Sequence, residues 1–286
     1  MRSLRPEWDI HVSYIDTVTR TSRYLTGAAT VRHAARTFRP DVTHVHFGLA
    51  QILARGVTGP RVVTFHGSDL AIPWKRRISL AFLSDDDVPV VVSPAMKRAL
   101  PSTVESRARV VPCGVDTTRF QPRSQADARA ELGWDTHATY IGFPAAPSRP
   151  EKRYPLFCET IEHLRDLIGD VRIIEFDGVD PTLMPVMLAG LDLLLVTSAR
   201  EGSPVVVREA LCVGTRVVST DVGDVADYLP PLSGCRVVAC EEPQTIALEC
   251  TRALSDPAPD AIPLCAALST AKEADAIARI YEELVS

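Results

Sequence analysis

The 286-residue chain has no run of about 18 apolar residues, so nothing in it reads as a membrane-spanning helix. Its opening, Met1-Arg2-Ser3-Leu4-Arg5-Pro6, lacks the apolar stretch on which a secretory leader depends. Cysteine is unpatterned: Cys113, Cys158, Cys212, Cys235, Cys240, Cys250 and Cys265 are odd in number and contain no Cys-x-x-Cys pair. That usage reads as reduced thiols in a cytosol, against a disulfide frame or a zinc site. Basic charge is not in excess, since 31 Lys and Arg stand against 36 Asp and Glu for a net of −5. The electrostatic footprint of a nucleic-acid binder is therefore missing. The expectation is a cytoplasmic protein with no nucleic-acid partner and, through Lys75-Arg76-Arg77, at most peripheral membrane contact.

Hydrophobic residues at 46% and charged residues at 23% allow an ordinary buried core. The length exceeds the roughly 150 residues of one typical domain, which favours two. Short β-branched runs alternate with longer helical patterns, the rhythm of βαβ units and parallel sheets, so the fold class is α/β. Strands are predicted at Ile10 to Ile15, Val42 to His46, Arg61 to Phe65, Val88 to Val92 and Arg109 to Val111, with helices near 22–38, 48–56 and 74–84. The beat pauses in the polar stretch Thr117 to Ser124. It restarts with strands at Tyr140 to Phe143, Val171 to Phe176, Asp192 to Val196, Arg216 to Ser219 and Cys235 to Val238. Helices are predicted near 125–132, 153–168, 182–190, 204–213, 243–255 and 271–285. The domains so drawn are 1–120, 121–268 and a final helical segment 269–286.

The segment Ser198-Ala199-Arg200-Glu201-Gly202-Ser203-Pro204-Val205-Val206-Val207-Arg208-Glu209-Ala210-Leu211 carries the chemistry, because a buried strand ends in it and a helix begins. Ser203 suits the N-cap and Pro204 the first helical position. The free N–H groups of that first turn, around Ser203 to Val205, would then face solvent and, with the helix dipole, favour a phosphate, which makes Gly202, Ser203, Pro204 and Val205 the donor-binding residues. Glu209, six residues past the cap, lies about 9 Å down the axis, the span from a diphosphate to a ribose. Glu201 lies on the other side, where the sugar of a sugar nucleotide would sit. Two glutamates alone would also fit a solvated helix start and flank.

Their context decides the reading. Thr197 to Asp224, with Glu-x7-Glu opening on Gly-Ser-Pro and ending in Glu-Ala-Leu, resembles the donor-domain motif of the group 1 retaining glycosyltransferases. In that family the first glutamate faces the donor sugar and the second holds the ribose, which implies Glu201 and Glu209. Phe65-His66-Gly67-Ser68-Asp69-Leu70 resembles the family's His-Gly-Ser-Asp loop, which would turn His66 toward the reaction centre. Pro112-Cys113-Gly114-Val115-Asp116 resembles the segment before the domain linker, with cysteine in place of asparagine. Phe143 to Lys152 resembles the loop that carries an Arg and a Lys for the diphosphate. Lys152 takes the lysine position, and Arg149 stands two residues late for the arginine.

The resemblance implies a GT-B fold, two Rossmann-like domains with parallel sheets facing a cleft. It implies transfer of a sugar from a nucleoside diphosphate sugar to a hydroxyl acceptor, with no metal and no other cofactor. The alternatives are a catalytically impaired sugar-nucleotide-binding protein and an epimerase or hydrolase of the same fold. Family members begin with a strand, a glycine-rich loop and a helix. Here the N-terminal domain reads as incomplete, with the missing strand central, and a version longer by roughly 30 residues is expected to be more stable and active. His44 and His46, on one face of a strand, lack further ligands for a metal and read as packing. Asp85-Asp86-Asp87 reads as a hydrophilic turn.

Overall fold

The computed structural model describes residues 5–15 and 23–286, the side chains of 23–26 excepted. The chain divides into two units, Met1–Pro112 together with Ala271–Ser286, and Cys113–Thr270. The divisions therefore fall at 112 and 270, where the polar stretch beginning at Thr117 and the helical pattern near 271 had suggested 120 and 268.

In the first unit the chain runs α1 (Arg23–Phe38), β1 (Thr43–His46), β2 (Arg61–Phe65), α2 (Ser68–Ala71), α3 (Pro73–Ala81), β3 (Val88–Val91), α4 (Pro94–Arg98), α5 (Ser102–Glu105) and β4 (Arg109–Val110). The strands pair in parallel in the order β1-β2-β3-β4. The valine-rich sequences of β2 and β3 bury both faces, with Val62, Val63, Val90 and Val91 fully enclosed, as parallel strands covered on both sides require.

Residues 10–15 form no strand, which corrects the sequence reading. An alternating pattern marks a face only where a neighbouring strand completes the ladder. Among the described residues none adjoins, and Val12 and Tyr14 remain 67% and 88% exposed. The segment makes a side-chain contact with α1, the His11 ring lying 5.6 Å from that of Phe38. The turn around Trp8 sets its indole 5.8 Å from the Tyr281 ring.

The second unit runs α6 (Gln125–Leu132), β5 (Thr139–Phe143), α7 (Tyr154–Ile168), β6 (Val171–Glu175), α8 (Met184–Gly190), β7 (Leu193–Val196), α9 (Val205–Cys212), β8 (Arg216–Thr220), β9 (Cys235–Val238), α10 (Pro243–Ser255) and α11 (Ile262–Ala267). Its parallel sheet has the order β6-β5-β7-β8-β9. One apolar layer holds Phe143, Phe157, Ile161, Leu193, Leu195 and Ile246. The other holds Tyr140, Leu188, Leu194, Val196, Val207 and Leu211. The strand β7, Leu-Leu-Leu-Val, is the centre of both, all four residues being buried.

The last helix, α12 (Thr270–Val285), belongs from Ala271 onward to the first unit. Its apolar stripe sets Ile277 and Ile280 against Val62, Val90 and Val111. Cys212 of α9 and Cys265 of α11 are joined as a disulfide across 53 residues, where the sequence had suggested reduced thiols only. Packing of α11 on α9 brings the two Cα atoms to 5.8 Å, a juxtaposition no local spacing encodes. Among the described residues no helix is long and apolar enough to cross a membrane.

Candidate functional site

In the second unit the sheet order reverses between β5 and β7: the chain leaves β5 toward β6 on one side and leaves β7 toward β8 on the other. Open α/β sheets bind ligands outside the strand C-termini at such a switch point. The residues that follow β5 and β7 here are the loops carrying Lys152 and Glu201.

Lys152 ends a short turn of 3-10 helix, Pro150–Lys152, and only 9% of its side chain is exposed. Its Nζ donates to Glu201 Oε1 at 2.5 Å, and Ser198 Oγ donates to the same oxygen at 2.7 Å. The loop is fixed by Arg153, whose Nε donates to the Thr197 carbonyl at 2.7 Å. Thr197 Oγ1 in turn donates to the Lys152 carbonyl at 2.9 Å. Arg149 takes no part in this cluster. It is 54% exposed and bonded to Glu151 at 2.9 and 2.7 Å, a carboxylate two residues away that captures the guanidinium locally.

Helix α9 begins at Val205, and Pro204 holds the cap position with φ −73° and ψ 99°. Ser203 is thus not the cap. Its Oγ donates to Asp224 Oδ2 at 3.1 Å, because a buried carboxylate is a stronger acceptor than the hydroxyl is a cap. The Val207 amide bonds back to the Pro204 carbonyl at 3.1 Å. The amides of Val205 and Val206 make no hydrogen bond among the described residues and stay free for an anion. Gly202 is buried just before them. The loop after β8 closes tightly here: at Gly223, with φ +64°, a Cβ would stand 2.9 Å from Pro204 Cδ and 3.0 Å from the Gly202 carbonyl oxygen.

Glu209, one turn along α9, is half-buried, and its carboxylate makes no hydrogen bond or ion pair among the described residues. Burial pushes its carboxyl above the ordinary value, against the opposing charge of Arg119. Beside it Arg208 is 1% exposed and paired with Asp224. It also donates to the Cys113 carbonyl at 2.6 Å and stacks 5.4 Å from the Tyr228 ring centre. Sequence reasoning singled out neither Arg208 nor Asp224, nor Ser198 and Arg153. For Arg208 the signal was a charged residue inside an apolar helix pattern.

In the first unit His66 directly follows β2 and is exposed. Its loop turns on Gly67, whose φ of +120° disfavours any side chain. The loop is pinned by Asp69, fully buried, whose carboxylate accepts the amides of Gly48 (3.0 Å), His66 (3.2 Å) and Gly67 (2.9 Å). His46 Nδ1 lies 3.3 Å from His66 Nε2. Among the described residues no three His, Cys, Asp or Glu side chains gather as metal ligands.

Two family models match the chain, Glycosyltransferase Family 4 over residues 5–119 and Glycosyl transferases group 1 over residues 155–274. The chain belongs to the group 1 glycosyltransferase family. It is 27% identical over 226 residues to TuaC of Bacillus subtilis strain 168, a glycosyltransferase assigned to teichuronic acid biosynthesis. That match covers 67% of this chain and 56% of TuaC, so the chain spans little more than half the length of this relative. Among solved structures it resembles sucrose-phosphate synthase of Thermosynechococcus elongatus, with a TM-score of 0.72 and 16% identity over 95% of this chain and 80% of that one. It also resembles Anabaena Alr3699/HepE in complex with UDP-glucose, with a TM-score of 0.68 and 16% identity over 90% of this chain and 82% of that one. At this identity both likenesses speak for the fold, two parallel-sheet α/β domains of the GT-B class.

Proposed function

We propose that this family member transfers a glycosyl group from a nucleoside diphosphate sugar to a hydroxyl acceptor, with retention at the anomeric carbon and without a metal ion. The observation that carries the reading is the meeting of Lys152 and Glu201 at the point where the strand order reverses. The complexes of Anabaena HepE with UDP and with UDP-glucose support a nucleotide-sugar donor.

As the glycosidic bond stretches, negative charge grows on the departing diphosphate and the sugar becomes oxocarbenium-like. Groups already aimed at that charge lower the barrier most. Lys152 supplies a cation in a largely dry setting, where its field is strong. The free amides of Val205 and Val206 add fixed dipoles at a helix start. Glu201, held by Ser198, accepts hydroxyls of the donor sugar, and the unpartnered carboxylate of Glu209 accepts those of the ribose. No residue acts as a nucleophile, which accords with attack from the same face as the leaving phosphate. His66 carries the role its motif implies, positioning donor groups near the reacting carbon. Arg149, committed to Glu151, is left out of the diphosphate contacts.

The test is donor binding by calorimetry with a panel of nucleoside diphosphate sugars. Glu209→Ala should weaken binding of the preferred nucleotide roughly tenfold to a hundredfold, the worth of charge-assisted hydrogen bonds. Glu201→Ala should chiefly lower turnover, and excess EDTA should leave binding unchanged. Wild-type affinity in the Glu209 variant, or a loss in EDTA that magnesium restores, would overturn the corresponding assignment.

A further inference from the structure

Three imidazoles line up along one face of the N-terminal sheet. His44 and His46 are two apart on β1 and so share a face. His66 continues the alternation of Thr64, which lies opposite His46 in the β1–β2 register. The rings stack in sequence, 4.2 Å between the centres of His44 and His46 and 5.5 Å between those of His46 and His66. The buried end is anchored on both sides: His44 Nδ1 bonds the Tyr281 hydroxyl of α12, and its Nε2 bonds Thr64 Oγ1 at 2.7 Å. At the exposed end His46 Nδ1 meets His66 Nε2.

Burial, with neighbouring imidazoles adding to it, brings His44 down to about 3 and holds His46 below its ordinary value. Although the His66 ring reaches the surface, partial desolvation by the surrounding protein lowers it as well, against the pull of Asp69 and Glu273. The ladder is therefore neutral at neutral pH. Between two neutral rings that share a hydrogen bond, one nitrogen carries the proton and the other is bare. The tautomer of His46 then dictates that of His66, and with it whether His66 Nδ1, which has no hydrogen bond among the described residues, donates or accepts.

We propose that His46 is a positioning residue for His66, fixing both its ring orientation and its tautomer from a stack anchored at His44. The consequence for catalysis rests on the reading of His66 as part of the donor site. The coupling between the two rings does not.

The test uses nitrogen-15 NMR of the seven histidines, which reads each tautomer directly. In the wild type His46 and His66 should each show one tautomer, and the same one, because a single proton in the Nδ1–Nε2 contact places both protons on Nδ1 or both on Nε2. In His46→Ala, His66 should become a mixture of tautomers. Turnover should fall about tenfold to a hundredfold, as when partners that orient metal-bound imidazoles are removed. The donor KM should change by less than about threefold, because ground-state binding is made elsewhere. His46→Asn, whose amide stands where Nδ1 does, should restore both the single tautomer and the turnover. An unchanged single tautomer for His66 in His46→Ala, or equal turnover in the Ala and Asn variants, overturns the proposal. Full turnover in His66→Ala would instead remove His66 from the donor site and leave the NMR result to decide the coupling.

Discussion

Replacing Arg208 by methionine leaves one carboxylate, Asp224, buried without its counter-charge. Arg208 is 1% exposed and Asp224 5% exposed, so water cannot replace the lost partner. Ser203 Oγ still donates to Asp224, but the bond from Arg208 to the Cys113 carbonyl is also lost. Removing one member of a buried ion pair typically costs about 3 to 5 kcal/mol. For the 113–270 unit, at roughly 2 to 4 °C per kcal/mol, the transition should drop by about 6 to 20 °C. The double variant Arg208→Met with Asp224→Asn removes the charge as well as its partner and should recover most of the loss. The pH dependence has a definite sign. Burial already raises the Asp224 carboxyl above its ordinary value, with Arg208 as the largest opposing influence. Folding therefore favours the protonated form, and its contribution to stability is lost as pH rises through the raised value. Without Arg208 that value climbs further, so acidification should restore stability to Arg208→Met more than to the wild type. Urea denaturation of the four species at pH 5 and pH 7.5 measures both effects. A loss below about 1 kcal/mol in Arg208→Met, or a double variant as unstable as the two singles added together, would refute the argument.

The raised carboxyl of Glu209 predicts that nucleotide affinity falls as pH drops through a value above the ordinary 4.5, because the ionised form is the better acceptor for ribose hydroxyls. Calorimetric titrations across pH 4.5 to 7 should show this decline in the wild type and a flat profile in Glu209→Gln. With Cys212 and Cys265 bonded, five cysteines remain free, so thiol titration in denaturant should count five before reduction and seven after. Seven before reduction would exclude the bond.

The fold was legible wherever one element explains its own pattern. Asp192 to Val196 reads as a doubly covered strand, and Leu193–Val196 is one. The stripe Ile277, Ile280, Tyr281, Leu284 reads as an apolar helix face, and it packs on Val62 and Val90. Ile10 to Ile15 failed because alternation states a preference for a face without saying whether a neighbouring strand exists. Ser203 failed as a cap because its partner Asp224 is 21 residues away, and local rules cannot weigh a competitor from another loop. The Cys212–Cys265 bond spans 53 residues for the same reason. Within the candidate site, Glu201 and Glu209 were visible as a spacing on one helix start. Lys152, 49 residues before Glu201, was visible only through family resemblance. His44 and His46 gave a pair on one strand. The third ring of the ladder needed the β1–β2 register, which the sequence does not print.

What holds Lys152 at the switch point is the backbone around it more than its own ion pair. Arg153 adopts the left-handed conformation, with φ 53° and ψ 53°, which costs a residue with a side chain about 1 to 2 kcal/mol. The cost is offset because that turn lets one guanidinium reach the carbonyls of Thr197 and Ser198, at 2.7 and 3.1 Å, and the carboxylate of Glu241. The Ala199 amide adds a bond to the Glu151 carbonyl at 2.8 Å. The loop after β5 is thereby stitched to the end of β7 through main-chain atoms. Removing the Lys152–Glu201 contact leaves every one of these bonds in place. On the proposed function, Lys152 can therefore exchange Glu201 for a diphosphate by turning its side chain alone, while Ser198 keeps Glu201 in position for the sugar.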